Sequence, residues 1–273
     1  MKPAAFEYVR AGSLAEATRL LVEAPGMATI VAGAQSLGPM LNLRLVQPRL
    51  LIDITGIPDL TRIEDTDDAI TVGACVTTAN IEDGRLPGRG LQALSAVATH
   101  IAYRAVRNRG TIGGSLCHAD PAADWAPTLC ALGAECVLAS ANGRRRLPAD
   151  QFVTGAYQTA LAAGEMLEAI RIPRLSVRGR CGYYKLSRKA GEFALAISAV
   201  LNDRERGQFR VVIGATHGRP IVVADARELC TGNGTLDEAA VLRLLDQHGI
   251  TDRISRRQRA AALARAYDQA MTP

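Results

Sequence analysis

Arg107-Asn-Arg-Gly-Thr-Ile-Gly-Gly-Ser-Leu-Cys-His-Ala-Asp-Pro-Ala-Ala-Asp-Trp-Ala-Pro127 is the stretch whose reading decides the fold. A basic turn runs into Gly113 and Gly114, flanked by Thr111 and Ser115, and then into a helix start. Two glycines in succession let consecutive N–H groups turn toward one spot with hydroxyls beside them, the composition of an anion-binding nest. A plain glycine turn between two elements is the competing reading.

A second stretch of the same character lies upstream, Thr29-Ile-Val-Ala-Gly-Ala-Gln-Ser-Leu-Gly38, where an apolar run enters a turn carrying Gln35 and Ser36 as polar donors. Two such loops suit two phosphates. No Gly-Lys-Ser/Thr follows either loop and neither has the Gly-x-Gly-x-x-Gly spacing, which disfavours a Walker-type NTPase and a Rossmann dehydrogenase. Ser115 lies outside a Gly-x-Ser-x-Gly elbow, and no paired-carboxylate motif stands out, so no classical catalytic residue is expected.

Outward from these loops, the spacing predicts a small α/β unit over residues 1–56. It holds a helix over 13–24, opened by a Ser13/Glu16 capping box, then strands 28–32 and 50–54. A second unit, 57–173, reads as strand 69–73, a threonine-capped turn near 77–83 and a helix from Leu91 to Tyr103. Next come the central stretch and a helix from Asp120-Pro121 to Leu132. Strands 135–140 and 165–172 follow, with a hairpin turn at 141–144 and a short helical connection near Phe152. His100 reads as a packing or polar-edge residue. The last unit, 174–273, is expected to hold three antiparallel strands, 181–187, 193–201 and 208–216, with helices over 224–231, 236–247 and 255–270.

The 273 residues are 48% hydrophobic and 22% charged, ordinary globular values, and no apolar run approaches the ~20 residues of a membrane span. The N-terminal residues lack the pattern of a secretory signal, which gives a cytoplasmic expectation. The net charge of +5 is scattered over arginines and aromatics are 4%, too few for nucleic-acid stacking platforms, so no nucleic acid is expected. Six cysteines without ligand rhythm read as mostly buried thiols, and no metal site is expected on this chain.

Ala32-Gly-Ala-Gln-Ser-Leu37, Asn42-Leu-Arg44, Arg107-Asn-Arg-Gly-Thr-Ile-Gly-Gly-Ser115 and His118-Ala-Asp-Pro-Ala-Ala-Asp124 together resemble the FAD-binding medium subunit of the molybdenum hydroxylase (xanthine dehydrogenase and carbon monoxide dehydrogenase) family. Ile170-Arg-Ile-Pro173 and Tyr184-Lys-Leu-Ser-Arg188 also fit, so the likeness runs from end to end. It implies an α+β chain: a two-subdomain FAD-binding domain of the PCMH (vanillyl-alcohol-oxidase-like) type, followed by a C-terminal domain with a three-stranded antiparallel sheet and helices.

FAD contacts are implied for Ile30, Val31, Ala32, Gly33, Ala34, Gln35, Ser36 and Leu37, for Ile101, and for Thr111, Gly113, Gly114 and Ser115. Asp124 is implied at the adenosine part, Leu167 near the flavin site, and Lys185, one of only three lysines, beside the cofactor where its charge would tune the potential. Two residues depart from the pattern: Ala34 replaces the first loop's second glycine, and Glu192 an aspartate. Alanine tolerates positive φ poorly, which makes position 34 the point to inspect.

The resemblance further implies electron transfer from two [2Fe–2S] clusters of a small subunit, through FAD, to an external acceptor. A large subunit would carry molybdenum on molybdopterin cytosine dinucleotide, and the assembly would be a dimer of heterotrimers. A stand-alone flavin oxidase and a non-enzymatic arginine-rich binding module are the alternatives.

Overall fold

The computed structural model describes residues 2–87 and 92–272. Three main sheets follow one another along the chain, with a two-stranded one besides. The first is parallel, with β1 (Glu7–Arg10) and β2 (Ala28–Val31) on either side of β3 (Leu50–Asp53). Between these strands run α1 (Leu14–Glu23) and α2 (Leu37–Asn42). The capping box forms: Ser13 Oγ accepts from Glu16 N at 3.2 Å, while the Glu16 carboxylate reaches back to Gly12 N at 2.8 Å. The strand β1 was not expected; its Glu-Tyr-Val-Arg sequence lacks a clear period because most of it stays exposed.

The second sheet has five strands in the order β4-β5-β10-β6-β7. They are β4 (Ile63–Asp65), β5 (Ala69–Gly73), β6 (Glu135–Ser140), β7 (Gly143–Pro148) and β10 (Met166–Pro173). The strand β10 returns to the centre because Met-Leu-Glu-Ala-Ile-Arg-Ile-Pro buries nearly every apolar side chain between two neighbours. Helices fill the long excursion from β5 to β6: α3 (Thr78–Glu82, capped by Thr77), α4 (Gln92–Thr99), α5 (Arg104–Arg107), α6 (Ile112–His118) and α7 (Trp125–Ala131). The turn α8 (Ala149–Phe152) and a small hairpin, β8 (Val153–Gly155) with β9 (Gln158–Thr159), complete this part.

Three expectations here are corrected. The helix expected over 91–103 stops at Thr99, because Ala102 takes φ +44° and the Arg107 guanidinium claims the carbonyls of Ile101 and Ala102 at 2.9 Å each. Leu91 lies outside the described residues. Gly113 and Gly114 form the first turn of α6 and not a loop, with Thr111 as N-cap. Asp120-Pro121 opens a turn, its carboxylate accepting from Ala122 N at 2.9 Å, and the helix starts only at Trp125.

The last sheet is antiparallel: β11 (Arg180–Leu186), β12 (Ala196–Asp203), β13 (Gln208–Gly214) and β14 (Ile221–Val223). It has four strands where three were expected, the short β-branched run Ile-Val-Val supplying the fourth. The helix expected over 224–231 shrinks to the single 3-10 turn Ala226–Leu229, whose start the Asp225 carboxylate fixes at Arg227 N. Asn202 and Asp203 extend β12, and the hairpin turn falls at 204–207. α9 (Glu238–Gln247) and α10 (Arg253–Met271), capped by Asp237 and Asp252, cover one face.

One hydrophobic core joins the second and third sheets, from Ile70, Trp125 and Ile170 to Ile197, Leu201 and Val212. The first sheet packs a second core around Ile52 and Ile54, which Leu60, Cys75, Ala139 and Met166 of the second part complete. Among the described residues no helix is long and apolar enough to cross a membrane.

Candidate functional site

The first glycine stretch leaves β2, whose apolar residues pull the chain to the sheet's C-terminal end, and turns into α2. Ala34 sits at φ +58°, the left-handed value a glycine would adopt freely, so the turn keeps its shape at a cost of ~1–2 kcal/mol. The N–H groups of Gly33, Ala34, Gln35, Ser36 and Leu37 meet no acceptor among the described residues, while the Gln35 amide braces the turn on Gly33 O at 2.8 Å. A row of open N–H groups at a helix start is an anion cradle.

The second stretch differs. Ile112 N donates to Val76 O (3.1 Å), Gly113 N to Ala74 O (3.0 Å) and Gly114 N to Thr111 Oγ1 (3.0 Å), so these donors are already spent. The glycines serve close approach: a Cβ on Gly113 would lie 2.7 Å from Ala74 O. One on Gly33 would run into the backbone of Arg109 and Gly110, at 2.6 Å from the Arg109 carbonyl carbon and 2.9 Å from Gly110 Cα. The two stretches are therefore in direct backbone contact.

Between them opens a cleft of about 780 Å³ lined by every residue from Ile30 to Leu37, by Ile101, Thr111, Gly113, Gly114 and Ser115, and by Asp124, Leu167 and Lys185. The lining of this cleft thus includes all the residues that the family resemblance marked for FAD. Leu167 belongs to the core as well.

Asp124 and Lys185 are brought together in the cleft. Lys185 Nζ lies 3.0 Å from Asp124 Oδ1 and donates to His100 O at 3.0 Å, and the Tyr183 hydroxyl donates to Asp124 Oδ1 at 2.5 Å. Burial pushes the Asp124 carboxyl up, against the pull of Lys185 and Tyr183, and burial beside Asp124 raises the Tyr183 phenol well above its usual range. Asp124 and Lys185 thus form a single matched ion pair where both line the cleft. His100 is exposed, and its ring lies 5.8 Å from that of Tyr183.

Sequence reasoning missed Tyr183, though it precedes Lys185 by two residues and so shares its strand face. It also missed the Glu82–Arg107 pair, with contacts of 2.8 Å that hold the Glu82 carboxyl below its usual range. Nothing in the sequence near Glu82 announces Arg107. Of the cysteines, 75, 130 and 136 are buried, 181 and 230 half-buried, and Cys117 is exposed on the cleft, the exception to the expectation of mostly buried thiols. Among the described residues no cluster of His, Cys, Asp or Glu could hold a metal ion.

The chemistry of this cleft fits a flavin dinucleotide: open N–H groups for the diphosphate, a mostly apolar lining for flat rings, and a volume within the ~300–1,000 Å³ of small-molecule sites. The family described as FAD binding domain in molybdopterin dehydrogenase matches residues 4–175. The nicotine 6-hydroxylase medium subunit of Paenarthrobacter nicotinovorans is 36% identical over 243 residues, covering 88% of this chain and 85% of its own. The carbon monoxide dehydrogenase medium chain of Hydrogenophaga pseudoflava is 39% identical over 201 residues, covering 74% and 70%. The solved carbon monoxide dehydrogenase of Hydrogenophaga pseudoflava lacking the Mo-pyranopterin moiety superposes with a TM-score of 0.88 at 32% identity, over 99% of this chain and 98% of that one. With the cleft and these likenesses in agreement, the chain belongs to the molybdopterin dehydrogenase FAD-binding family, as a medium, flavin-carrying oxidoreductase subunit of the molybdenum hydroxylase type.

Proposed function

We propose that this chain is the electron exit of a heterotrimeric molybdenum hydroxylase. It receives electrons from [2Fe–2S] clusters on a small subunit and passes them to an external acceptor, while substrate hydroxylation takes place at molybdenum on a large subunit. The assembly would be a dimer of heterotrimers in the cytoplasm. The observation that carries this reading is a cleft with five consecutive N–H groups that meet no acceptor among the described residues, and in which Asp124, Lys185, Arg107, Glu165 and Glu192 are already paired. Such a wall holds and orients a cofactor and offers few free acids or bases for substrate chemistry.

Bound FAD would supply the ability to take electrons singly or in pairs. The residues from Gly33 to Leu37 would hold its diphosphate, Ile101 and Leu167 would exclude water from its rings, and Gly114 and Ser115 would border it. The Asp124–Lys185 pair would present a nearly neutral surface.

The order of the main sheets along the chain supports dividing it at 56 and 173, while cores shared across both boundaries mark the three parts as folding together. An arginine-rich binding module is disfavoured because Arg259 is buried against Ala215 O and Arg256 pairs with Asp246 at 3.1 Å.

Absorption spectroscopy of the purified chain, followed by acid release and chromatography, should find FAD at about one per chain. Its reduction should require a reduced iron–sulfur partner. Rapid reduction by an organic substrate with no partner present would favour a stand-alone oxidase, and no flavin after incubation with excess FAD would overturn the reading.

A further inference from the structure

Tyr157 stands in the cleft wall in a conformation that tyrosine disfavours. It is the second residue of the two-residue connection between β8 and β9, at φ +57°, where hairpins ordinarily place glycine or asparagine. A bulky side chain in the left-handed region persists only where its surroundings fix it. Here they do: Tyr157 N donates to Ala119 O at 2.9 Å, Ala119 is itself at φ +52°, and the His118 ring lies 5.2 Å away, tilted by 52°. Gly218 packs behind the turn, with room for only van der Waals contact at Ala156 N, 3.6 Å from where a Cβ would be. Despite this bracing the Tyr157 side of the wall stays open: the residue is 62% exposed while lining the cleft with His118 and Asp120.

An aromatic ring on a fixed backbone, with a second ring on one side and bare on the other, is a stacking platform. We propose that Tyr157, backed by His118, receives a planar heteroaromatic ring in the cleft. The ring belongs either to the bound cofactor or to a free electron acceptor entering beside it, and this inference rests on the flavin reading given above. The charge of Asp120 beside it, together with burial, raises the Tyr157 phenol.

The test compares Tyr157→Asn, which tolerates the left-handed backbone and removes the ring, with Tyr157→Phe, which keeps it. The flavin-loaded protein would be used together with its partner subunits. A cofactor ring on Tyr157 predicts that Tyr157→Asn weakens FAD binding about tenfold while Tyr157→Phe does not. Flavin emission then rises several-fold if the isoalloxazine loses its tyrosine quencher, and stays unchanged if the adenine was the stacked ring. An acceptor ring predicts unaltered FAD binding and emission, with KM for a water-soluble naphthoquinone raised at constant kcat. If FAD affinity, emission and the naphthoquinone KM all match the unsubstituted protein in Tyr157→Asn, the platform is overturned. Absence of flavin from the unsubstituted protein would instead overturn the functional reading, a separate outcome.

Discussion

Residues 33–37 and 111–115 have nearly the same makeup, small residues mixed with hydroxyls, and the two stretches adjoin where Gly33 lies on Arg109 and Gly110. Their backbones do opposite things. The first leaves its N–H groups open to the cleft, and the second spends its own on Val76, Ala74 and the Thr111 cap. Glycine content therefore reports where a backbone comes close, and only the hydrogen bonds say whether it comes close to a ligand or to the rest of the protein.

Substitutions at the contact separate these roles. Gly33→Val puts a branched side chain into the Arg109 carbonyl and should cost more than about 3 kcal/mol in denaturant unfolding, with no FAD retained. Near-native stability there would mean that the two stretches do not touch in solution.

Gly114→Val should act differently, because a Cβ at 114 meets only Thr111 Oγ1, at 2.7 Å. The hydroxyl can rotate away at the expense of the cap, about 1 kcal/mol, while the new side chain stands in the cleft and FAD retention is lost. Full flavin occupancy in this variant would remove Gly114 from the binding wall.

Ala34→Gly should raise stability by about 0.5–1 kcal/mol, the left-handed strain relieved less the entropy a glycine adds to the unfolded chain. A melting temperature that falls would place the φ of Ala34 outside that region.

The smallest effect concerns acid. Hydrogen bonds from Arg107 hold the Glu82 pKa below its unfolded value, so the contribution of Glu82 is present above the ordinary carboxylate range and fades as pH falls through the lowered folded value. Glu82→Gln should flatten that acid limb of a stability-versus-pH curve; an unchanged limb would show the pair to be without weight.

Local features of the fold were legible because their causes are local. Ser13 and Glu16 mark the start of α1 by chemistry contained within four residues, and the alternating burial of β6 and the run of β10 can be read without knowing their neighbours. The candidate site was legible residue by residue, since each of its loops is continuous in sequence. What stayed hidden depends on partners far along the chain. Asp120 imitates a helix cap in sequence, yet the turn it closes is pinned by Ala215 N on Pro121 O. The helix after Leu91 ends where it does because of Arg107, and Tyr183 matters only because β11 lies against the start of α7. Tyr157 carried no signal, as its left-handed backbone is imposed by Ala119 and not by its own preference.

The pairing of Asp124 with Tyr183 and Lys185 bears on how far this protein can be dissected. A fragment ending near residue 175, where the match to the FAD-binding domain family ends, would keep both glycine stretches. It would lose the ammonium and the phenol from Asp124, and the Ile197, Leu201 and Val212 side of a shared core. A buried carboxylate stripped of its partners costs several kcal/mol, comparable to the whole stability of many domains. The C-terminal sheet thus helps to build the cleft, and the protein is modular in its sheets without being separable into working modules.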